Sequence, residues 1–156
     1  MSASFNFFLN NNILIYGLGK SGLSAYKFLK NKSNVFLYDD FKSNIKTRKI
    51  RKNLIKYKDI SKLKFDQIIL SPGIDIDRCK LSSFLKKNYN KIYSDLDVFY
   101  EFYKNDCITI TGTNGKSTTC QLLYEILLKQ KLDVKLVGNI GNPILSTKNI
   151  KKKLFL

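Results

Sequence analysis

The sequence contains no histidine, and its three cysteines lie far apart along the chain. It therefore offers no Ser/His or Cys/His catalytic pair and no imidazole ligand for a metal. The cysteines form no CxxC pair, so neither a disulfide framework nor a zinc site is indicated. No apolar run is long enough to cross a bilayer, and the first residues lack the features of a secretory signal. We expect a cytoplasmic protein without membrane insertion.

Arginine is scarce although the formal net charge is +16. Only Arg48, Arg51 and Arg78 are arginine, and the lysines are spread along the chain. A strongly basic chain can indicate a nucleic-acid binder, but arginine is the side chain that makes bidentate contacts with phosphates and bases. We therefore attribute the charge to composition and expect no nucleic-acid partner. A basic nucleic-acid binder is an alternative that a DNA shift at physiological salt would support.

Short apolar strands, glycine turns and amphipathic helices alternate along the chain, which is typical of parallel α/β architecture. The predicted strands are 12–16, 34–38, 65–70, 91–93, 107–111 and 134–137. The predicted helices are 21–30, 81–88, 95–103 (with Ser94 or Asp95 as N-cap) and 117–130. A polar break at 104–106 is the expected boundary between two domains. We predict a Rossmann-like parallel-sheet domain in 1–104, followed in 105–156 by the start of a P-loop ATPase-type α/β domain.

The first glycine turn, 17–22 (GLGKSG), joins a predicted strand to a predicted helix. In such a turn the first glycine permits a sharp bend, the second lets a phosphate approach, and the third lets helix and strand pack closely. The free N–H groups and the dipole at the helix start favour an anion. Asp39 and Asp40 end the next strand, where a ribose-binding acid is expected. The pattern predicts a nucleotide site, with a plain tight turn or a nicotinamide oxidoreductase as alternatives.

The second glycine turn, 112–118 (GTNGKST), carries the Gly-Lys-Ser core of a phosphate-binding loop. Backbone amides are expected to cradle phosphates, the Lys116 ammonium to neutralise their charge, and the Ser117 hydroxyl to help hold Mg²⁺. The loop is shorter than the standard motif, because Ile110 stands where its first glycine would be. A lysine at the positive end of a helix dipole favours a bound anion beside it. The alternative is a solvated lysine.

Four segments together resemble one family. Residues 110–118 (ITGTNGKST) resemble the ATP loop of the Mur ligases and of their folylpolyglutamate synthetase relatives. Residues 17–24, 71–74 (SPGI) and 138–141 (GNIG) resemble loops of the Mur ligase branch that adds D-glutamate to UDP-N-acetylmuramoyl-L-alanine. The resemblance implies an ATP-dependent ligase of peptidoglycan precursor synthesis. In this family the substrate carboxylate is phosphorylated, and the amine of the amino acid then displaces the phosphate.

The resemblance also implies roles for individual residues. The expected ATP-binding residues are Gly112, Thr113, Asn114, Gly115, Lys116, Ser117 and Thr118. Lys116 and Ser117 are the expected catalytic residues, with Ser117 as a Mg²⁺ ligand. The expected contacts of the UDP-linked substrate are Gly19, Lys20, Ser21, Asp39, Gly73 and Asn139. At Asp40 and Phe41 the chain departs from the family, which usually has a small hydroxyl residue and then a base.

The family has three domains, and 156 residues are too few for all of them. The resemblance implies that the acidic and histidine metal ligands, a carbamylated lysine, the adenine pocket and the D-glutamate site lie outside this sequence. We therefore expect the 156-residue chain to be inactive alone and to need a missing C-terminal chain. Residues from about Cys107 onward are expected to be poorly ordered alone or to pair with another chain, because a two-stranded sheet leaves open edges. A non-catalytic module that binds UDP-muramoyl precursors is the alternative from another functional class.

Overall fold

The computed structural model describes residues 7–41, 48–103, 105–138, 142–147 and 154–155. Its helices and strands follow the chain in an α/β order. They are β1 (Asn12–Tyr16), α1 (Lys20–Leu29), β2 (Asn34–Tyr38), α2 (Tyr57–Ile60), β3 (Gln67–Leu70), α3 (Ser82–Lys87), β4 (Ile92–Tyr93), α4 (Asp95–Phe102), α5 (Lys116–Lys129), β5 (Val134–Lys135) and β6 (Leu154–Phe155). Short 3-10 helices occupy Arg48–Asn53, Tyr89–Lys91 and Ile144–Ser146.

The first four strands form a parallel sheet in the order β2-β1-β3-β4. β1 is central, and its last residue, Tyr16, lies opposite Tyr38 of β2 and Leu70 of β3. Because the strands are parallel, the loops that follow β1, β2 and β3 meet at one edge of the sheet. The strand order reverses direction at β1, and such a point is where open α/β sheets bind ligands. The predicted Rossmann-like α/β fold is therefore confirmed.

Both faces of this sheet are covered, which explains the continuous apolar run of β1. Ile13 and Ile15 pack against α1 and α4 in one core cluster, together with Leu29 and Phe99. Leu14 and its neighbours on the other face pack against α2 and α3 in a second cluster. The alternation follows from the two-residue period of a strand. A strand buried on both sides needs apolar residues at every position, as β1 has.

The sequence predicts most elements of this first region well. β1 and β2 have the predicted bounds, and β3, β4, α1, α3 and α4 lie within about two residues of theirs, which is the usual scatter at element ends. The short helix α2 was not predicted. The N-cap of α4 is Ser94, one of the two predicted candidates. Its hydroxyl accepts from the Asp97 backbone N–H, and the Asp97 carboxylate accepts from the Ser94 backbone N–H at 2.7 Å. This is a complete capping box.

The predicted strand at 107–111 is wrong, because residues 108–111 form no strand in the structure. A strand exists only where a neighbour supplies a ladder of hydrogen bonds, whereas Cys107 forms only an isolated β-bridge and none of the described strands pairs with this segment. The predicted strand at 134–137 shortens to β5, which pairs in parallel with β6, Val134 lying opposite Leu154. An apolar run is therefore not sufficient to make a strand.

The predicted helix at 117–130 is present as α5, but its apolar face is not covered. None of the described residues of α5 is buried, and Leu122 and Ile126 are 59% and 44% exposed. After α5 the chain returns to the first region. There the 3-10 helix Ile144–Ser146 packs against α1 and α4, and its Ile144 and Leu145 side chains are buried in the first core cluster. The sequence carries no recognisable pattern for this docking segment.

Candidate functional site

The first glycine loop leaves β1 at the carboxyl edge of the sheet and opens α1. Gly17 has a φ of +93°, its N–H donates to the Tyr38 carbonyl at 3.0 Å, and its carbonyl accepts from the Ser71 hydroxyl at 2.8 Å. A Cβ on Gly22 would lie 1.8 Å from the Gly17 carbonyl oxygen. The bend and the close helix packing that the pattern requires of its first and third glycines are thus both present.

The second glycine of this loop, Gly19, is the N-cap of α1. No side chain of the described residues caps this helix end, and no described atom would lie within 4 Å of a Cβ at Gly19. The first N–H groups of a helix have no partner within the helix. Lys20 and Ser21 form that first turn, and the space beside Gly19 is open in the described structure. This geometry suits a phosphate group.

Asp39 connects the loop after β2 to the glycine loop. Its Oδ2 accepts from the Leu18 backbone N–H at 2.6 Å, and its Oδ1 accepts from the Phe41 backbone N–H at 2.8 Å. These two bonds fix the Asp39 carboxylate beside the glycine loop. Gly73 lies in the turn after β3, and no described atom would lie within 4 Å of a Cβ there. The structure therefore brings three loops together at one sheet edge.

The second glycine loop is built by backbone conformations that favour glycine. Gly112 has a φ of +146° and Gly115 a φ of +75°, and Gly115 is the N-cap of α5. No side chain among the described residues caps α5, so its first amides are open to a ligand. The Lys116 ammonium donates to the carbonyls of Gly112 and Thr113, at 3.0 Å for the latter. These carbonyls stabilise a cation that the helix dipole disfavours.

A cleft of about 340 Å³ lies between the two loops. Ser21 and Pro72 line it from the first region, and Lys116, Ser117 and Gly138 line it from the second. Three of the predicted site residues, Ser21, Lys116 and Ser117, thus share one cavity. The others that the structure describes are not part of its lining: Gly19, Lys20, Asp39, Gly73, Gly112, Thr113, Asn114, Gly115 and Thr118. Asn139 lies outside the described residues.

The cleft also contains residues that the sequence analysis did not propose as site residues. Asp95 and Tyr100 of α4 line it together with Cys107 and Cys120. A hydrogen bond to Cys107 raises the pKa of the Tyr100 hydroxyl, with a smaller contribution from burial. One signal could have found Asp95, because α4 starts directly after β4 and therefore lies at the carboxyl edge of a parallel sheet. Nothing local to Tyr100 distinguishes it from a surface tyrosine of a helix.

Two further properties concern the described residues as a whole. Among them, no helix is both long and apolar enough to cross a membrane. Within the same ranges, no group of three acidic, histidine or cysteine side chains is arranged to hold a metal ion. The predicted Mg²⁺ ligand Ser117 therefore has no such set of acidic partners in the described part of the chain.

Two family models match this chain. The model of the Mur ligase MurD-like N-terminal domain matches residues 11–92, and that of the Mur ligase middle domain matches residues 110–154. The first match covers more than half of the chain. The two matches follow one another in the order of the two regions described above.

Curated relatives of this chain carry the name UDP-N-acetylmuramoylalanine--D-glutamate ligase. The relative from Rickettsia bellii (strain RML369-C) is 41% identical over 145 residues, which cover 90% of this chain and 32% of the relative. The relative from Rickettsia felis (strain ATCC VR-1525 / URRWXCal2) is 42% identical over 145 residues, covering 88% and 31%. That from Haemophilus influenzae (strain PittGG) is 31% identical over 156 residues, covering 97% and 36%. The chain thus spans about a third of the length of these relatives.

Proposed function

Because this chain belongs to the Mur ligase family, we propose that it is the amino-terminal part of a UDP-N-acetylmuramoylalanine--D-glutamate ligase. Such an enzyme joins D-glutamate to UDP-N-acetylmuramoyl-L-alanine with ATP, and we place this reaction in the cytoplasm. The observation that carries the proposal is the shared cleft. Ser21 of the first glycine loop and Lys116 of the second both line it. The names of the relatives supply the substrates. They do not favour the alternative of a non-catalytic binding module.

The physical problem of this reaction is to bring two anions together, a substrate carboxylate and the terminal phosphate of ATP. ATP would supply the phosphoryl group that activates the carboxylate, and Mg²⁺ would screen the charge. The second glycine loop fits a triphosphate, because the N-terminus of α5 is uncapped and the space beside Gly115 is open within the described structure. Lys116 would neutralise phosphate charge, and Ser117 would hold Mg²⁺ through its hydroxyl. Lys116 would reach a phosphate once its side chain rotates away from the carbonyls of Gly112 and Thr113.

The first glycine loop is the proposed site of the UDP group. The amides of Lys20 and Ser21 would bind the diphosphate beside Gly19, and Asp39 would accept from the ribose or uracil. Gly73 would let the nucleotide lie against the backbone, and Asn139 would reach the UDP-linked sugar. In this assignment residues 1–104 bind UDP and residues 105–156 begin the ATP-binding domain.

The nucleotide sites can be tested by calorimetry. The 156-residue chain is expected to bind UDP-N-acetylmuramoyl-L-alanine, and no binding at millimolar ligand would contradict the first site. Lys116→Ala is expected to weaken ATP binding about tenfold, because a charge-assisted contact to phosphate is lost. Lys129→Ala, at the far end of α5, is the matched control and is expected to bind ATP as the unaltered chain does. If the two substitutions weakened ATP binding equally, Lys116 would not be part of the ATP site.

The activity of the complete ligase is proposed to need residues beyond this chain, since the chain spans about a third of its relatives. The 156-residue polypeptide alone is therefore expected to show no ATP turnover in the presence of both substrates. Phosphate release measured with and without Lys116→Ala checks this. Turnover that depends on Lys116 would show that the described cleft is sufficient for catalysis.

A further inference from the structure

Asp40, the neighbour of Asp39, makes three hydrogen bonds to other parts of the chain. Its Oδ2 accepts from the Tyr16 hydroxyl at 2.7 Å and from the Lys80 backbone N–H at 3.3 Å. Its backbone carbonyl accepts from the Lys80 ammonium at 3.3 Å. Tyr16 ends β1, Asp40 follows β2, and Lys80 lies beyond β3. One residue thus connects three segments at the carboxyl edge of the sheet.

These bonds hold the far end of the loop 71–80. The near end is held by Ser71, whose hydroxyl donates to the Gly17 carbonyl at 2.8 Å. Pro72 and Gly73 lie between the two attachment points, and Pro72 lines the cleft. Because β1 lies between β2 and β3, the Asp40–Lys80 contacts cross over the end of β1. The loop that carries Gly73 is therefore fixed to the loop that carries Asp39.

Tyr16 is a firm anchor for this arrangement. Its side chain is fully buried in the second core cluster, so it cannot turn away from Asp40 without disturbing the core. Burial raises the pKa of the Tyr16 hydroxyl, and the hydrogen bond to Asp40 raises it further. Burial also raises the pKa of the adjacent Tyr38 hydroxyl, to about 12. Both hydroxyls therefore keep their protons at neutral pH, and Tyr16 remains a donor.

The contacts of Asp40 depend on its acceptor oxygens. The residue as a whole is only partly buried, although its Oδ1 is buried and accepts no hydrogen bond from the part of the chain that the structure describes. The bonds to Tyr16 and Lys80 run through Oδ2 and the backbone carbonyl. An acceptor oxygen at this place, and not the negative charge, is therefore what ties the loops together.

We propose that Asp40 is a positioning residue of the UDP site, which holds the Gly73 loop against the Asp39 loop so that both face one nucleotide. The inference rests on the proposed function of the first glycine loop and deepens it. Asp40 acts through the two loops, by its bonds to Tyr16 and Lys80. Its loss is expected to separate the two loops and to weaken nucleotide binding, while the core below them remains folded.

The experiment is titration of the 156-residue chain with UDP in a calorimeter. Asp40→Ala is expected to weaken UDP binding about tenfold, because contacts to a charged acceptor are lost. Asp40→Asn is expected to remain within about threefold of the unaltered chain, because its side-chain oxygen can accept from both Tyr16 and Lys80. Amide exchange of residues 72–79 is expected to accelerate in Asp40→Ala and not in Asp40→Asn.

The matched controls are two tyrosine substitutions. Tyr16→Phe removes the bond to Asp40, whereas Tyr26→Phe removes a comparable bond, from the Tyr26 hydroxyl to Asn53 Oδ1 at 3.0 Å, away from the proposed site. Both are expected to lower the melting temperature, but only Tyr16→Phe should weaken UDP binding, by about fivefold. If Asp40→Ala does not fold, the comparison of Tyr16→Phe with Tyr26→Phe still tests the proposal.

Three results would overturn the inference. The first is UDP binding by Asp40→Ala within twofold of the unaltered chain, and the second is an equal loss of affinity in Tyr16→Phe and Tyr26→Phe. Either would reject the positioning role and leave the UDP site intact. The third is an absence of UDP binding by the unaltered chain at millimolar ligand, which would reject the proposed nucleotide site and the role of Asp40 with it.

Discussion

The two glycine loops of this chain begin helices in similar ways, but their surroundings differ. In the first loop, added side-chain atoms at Gly17 and Gly22 would lie 2.7 Å and 1.8 Å from existing atoms. In the second, the nearest described atom to a Cβ at Gly112 is 3.8 Å away, and none of the described atoms is within 4 Å at Gly115. The first loop is shaped by a packed core, and the second by local backbone conformation. The same type of motif therefore depends on tertiary packing in one loop and on local backbone conformation in the other.

Substitution of the third glycine should give the largest contrast between the loops. Gly22→Ala is expected to cost about 4 kcal/mol or more of unfolding free energy, because its Cβ would overlap the Gly17 carbonyl. Gly115→Ala is expected to cost only about 1–2 kcal/mol, the strain of a left-handed conformation. Urea denaturation followed by circular dichroism measures both. Similar values for the two variants would remove the distinction between a packed and an open loop.

Leucine truncation on the two helices that follow the loops tests the same difference in packing. Leu29 of α1 has no exposed surface, whereas Leu122 of α5 is 59% exposed. Leu29→Ala is expected to destabilise the fold by about 2–5 kcal/mol, from lost burial and a cavity. Leu122→Ala should change stability by no more than about 0.5 kcal/mol in this chain. A large effect at Leu122 in the same denaturation assay would show that α5 is covered in solution.

The 3-10 helix Ile144–Ser146, which packs against α1 and α4, should contribute to stability as buried core residues do. Ile144 is 2% exposed and lies in the cluster with Ala25 and Phe99. Ile144→Val is therefore expected to cost about 1 kcal/mol, within the range for removal of one buried methylene. The melting temperature measures this, with Ile126→Val on the exposed face of α5 as control. A loss at Ile126 as large as that at Ile144 would contradict the docking.

The capping box of α4 should give an effect as small as that of Ile144→Val. Ser94→Ala removes the hydroxyl that accepts from Asp97 and is expected to cost about 1 kcal/mol. Ser94→Asp keeps a good N-cap and should restore most of this stability. Thermal denaturation of the two variants distinguishes the loss of the capping hydrogen bond from the change in side-chain volume. Equal melting temperatures for Ser94→Ala and the unaltered chain would show that the cap does not limit stability.

The local sequence pattern predicts secondary structure correctly where one short segment determines its own structure. The apolar runs of β1 and β2 and the serine before α4 are such cases, and their elements are found as predicted. The segment 107–111 has a similar apolar run, but pairing decides whether a strand forms, and pairing is not a local property. The exposed α5 makes the same point for packing, because a periodic apolar face says nothing about what covers it.

The glycine loops, β1, β2 and the helices after the loops could be predicted from local sequence, because they depend on allowed backbone angles and on the spacing of apolar residues. Three features depend on the folded arrangement: Asp39 joins two loops, Asp40 ties the Gly73 loop to the sheet edge, and Ser21 and Lys116 share one cleft. The reason is that these contacts join residues far apart in the chain. Strand order and helix packing, which no short segment specifies, bring them together.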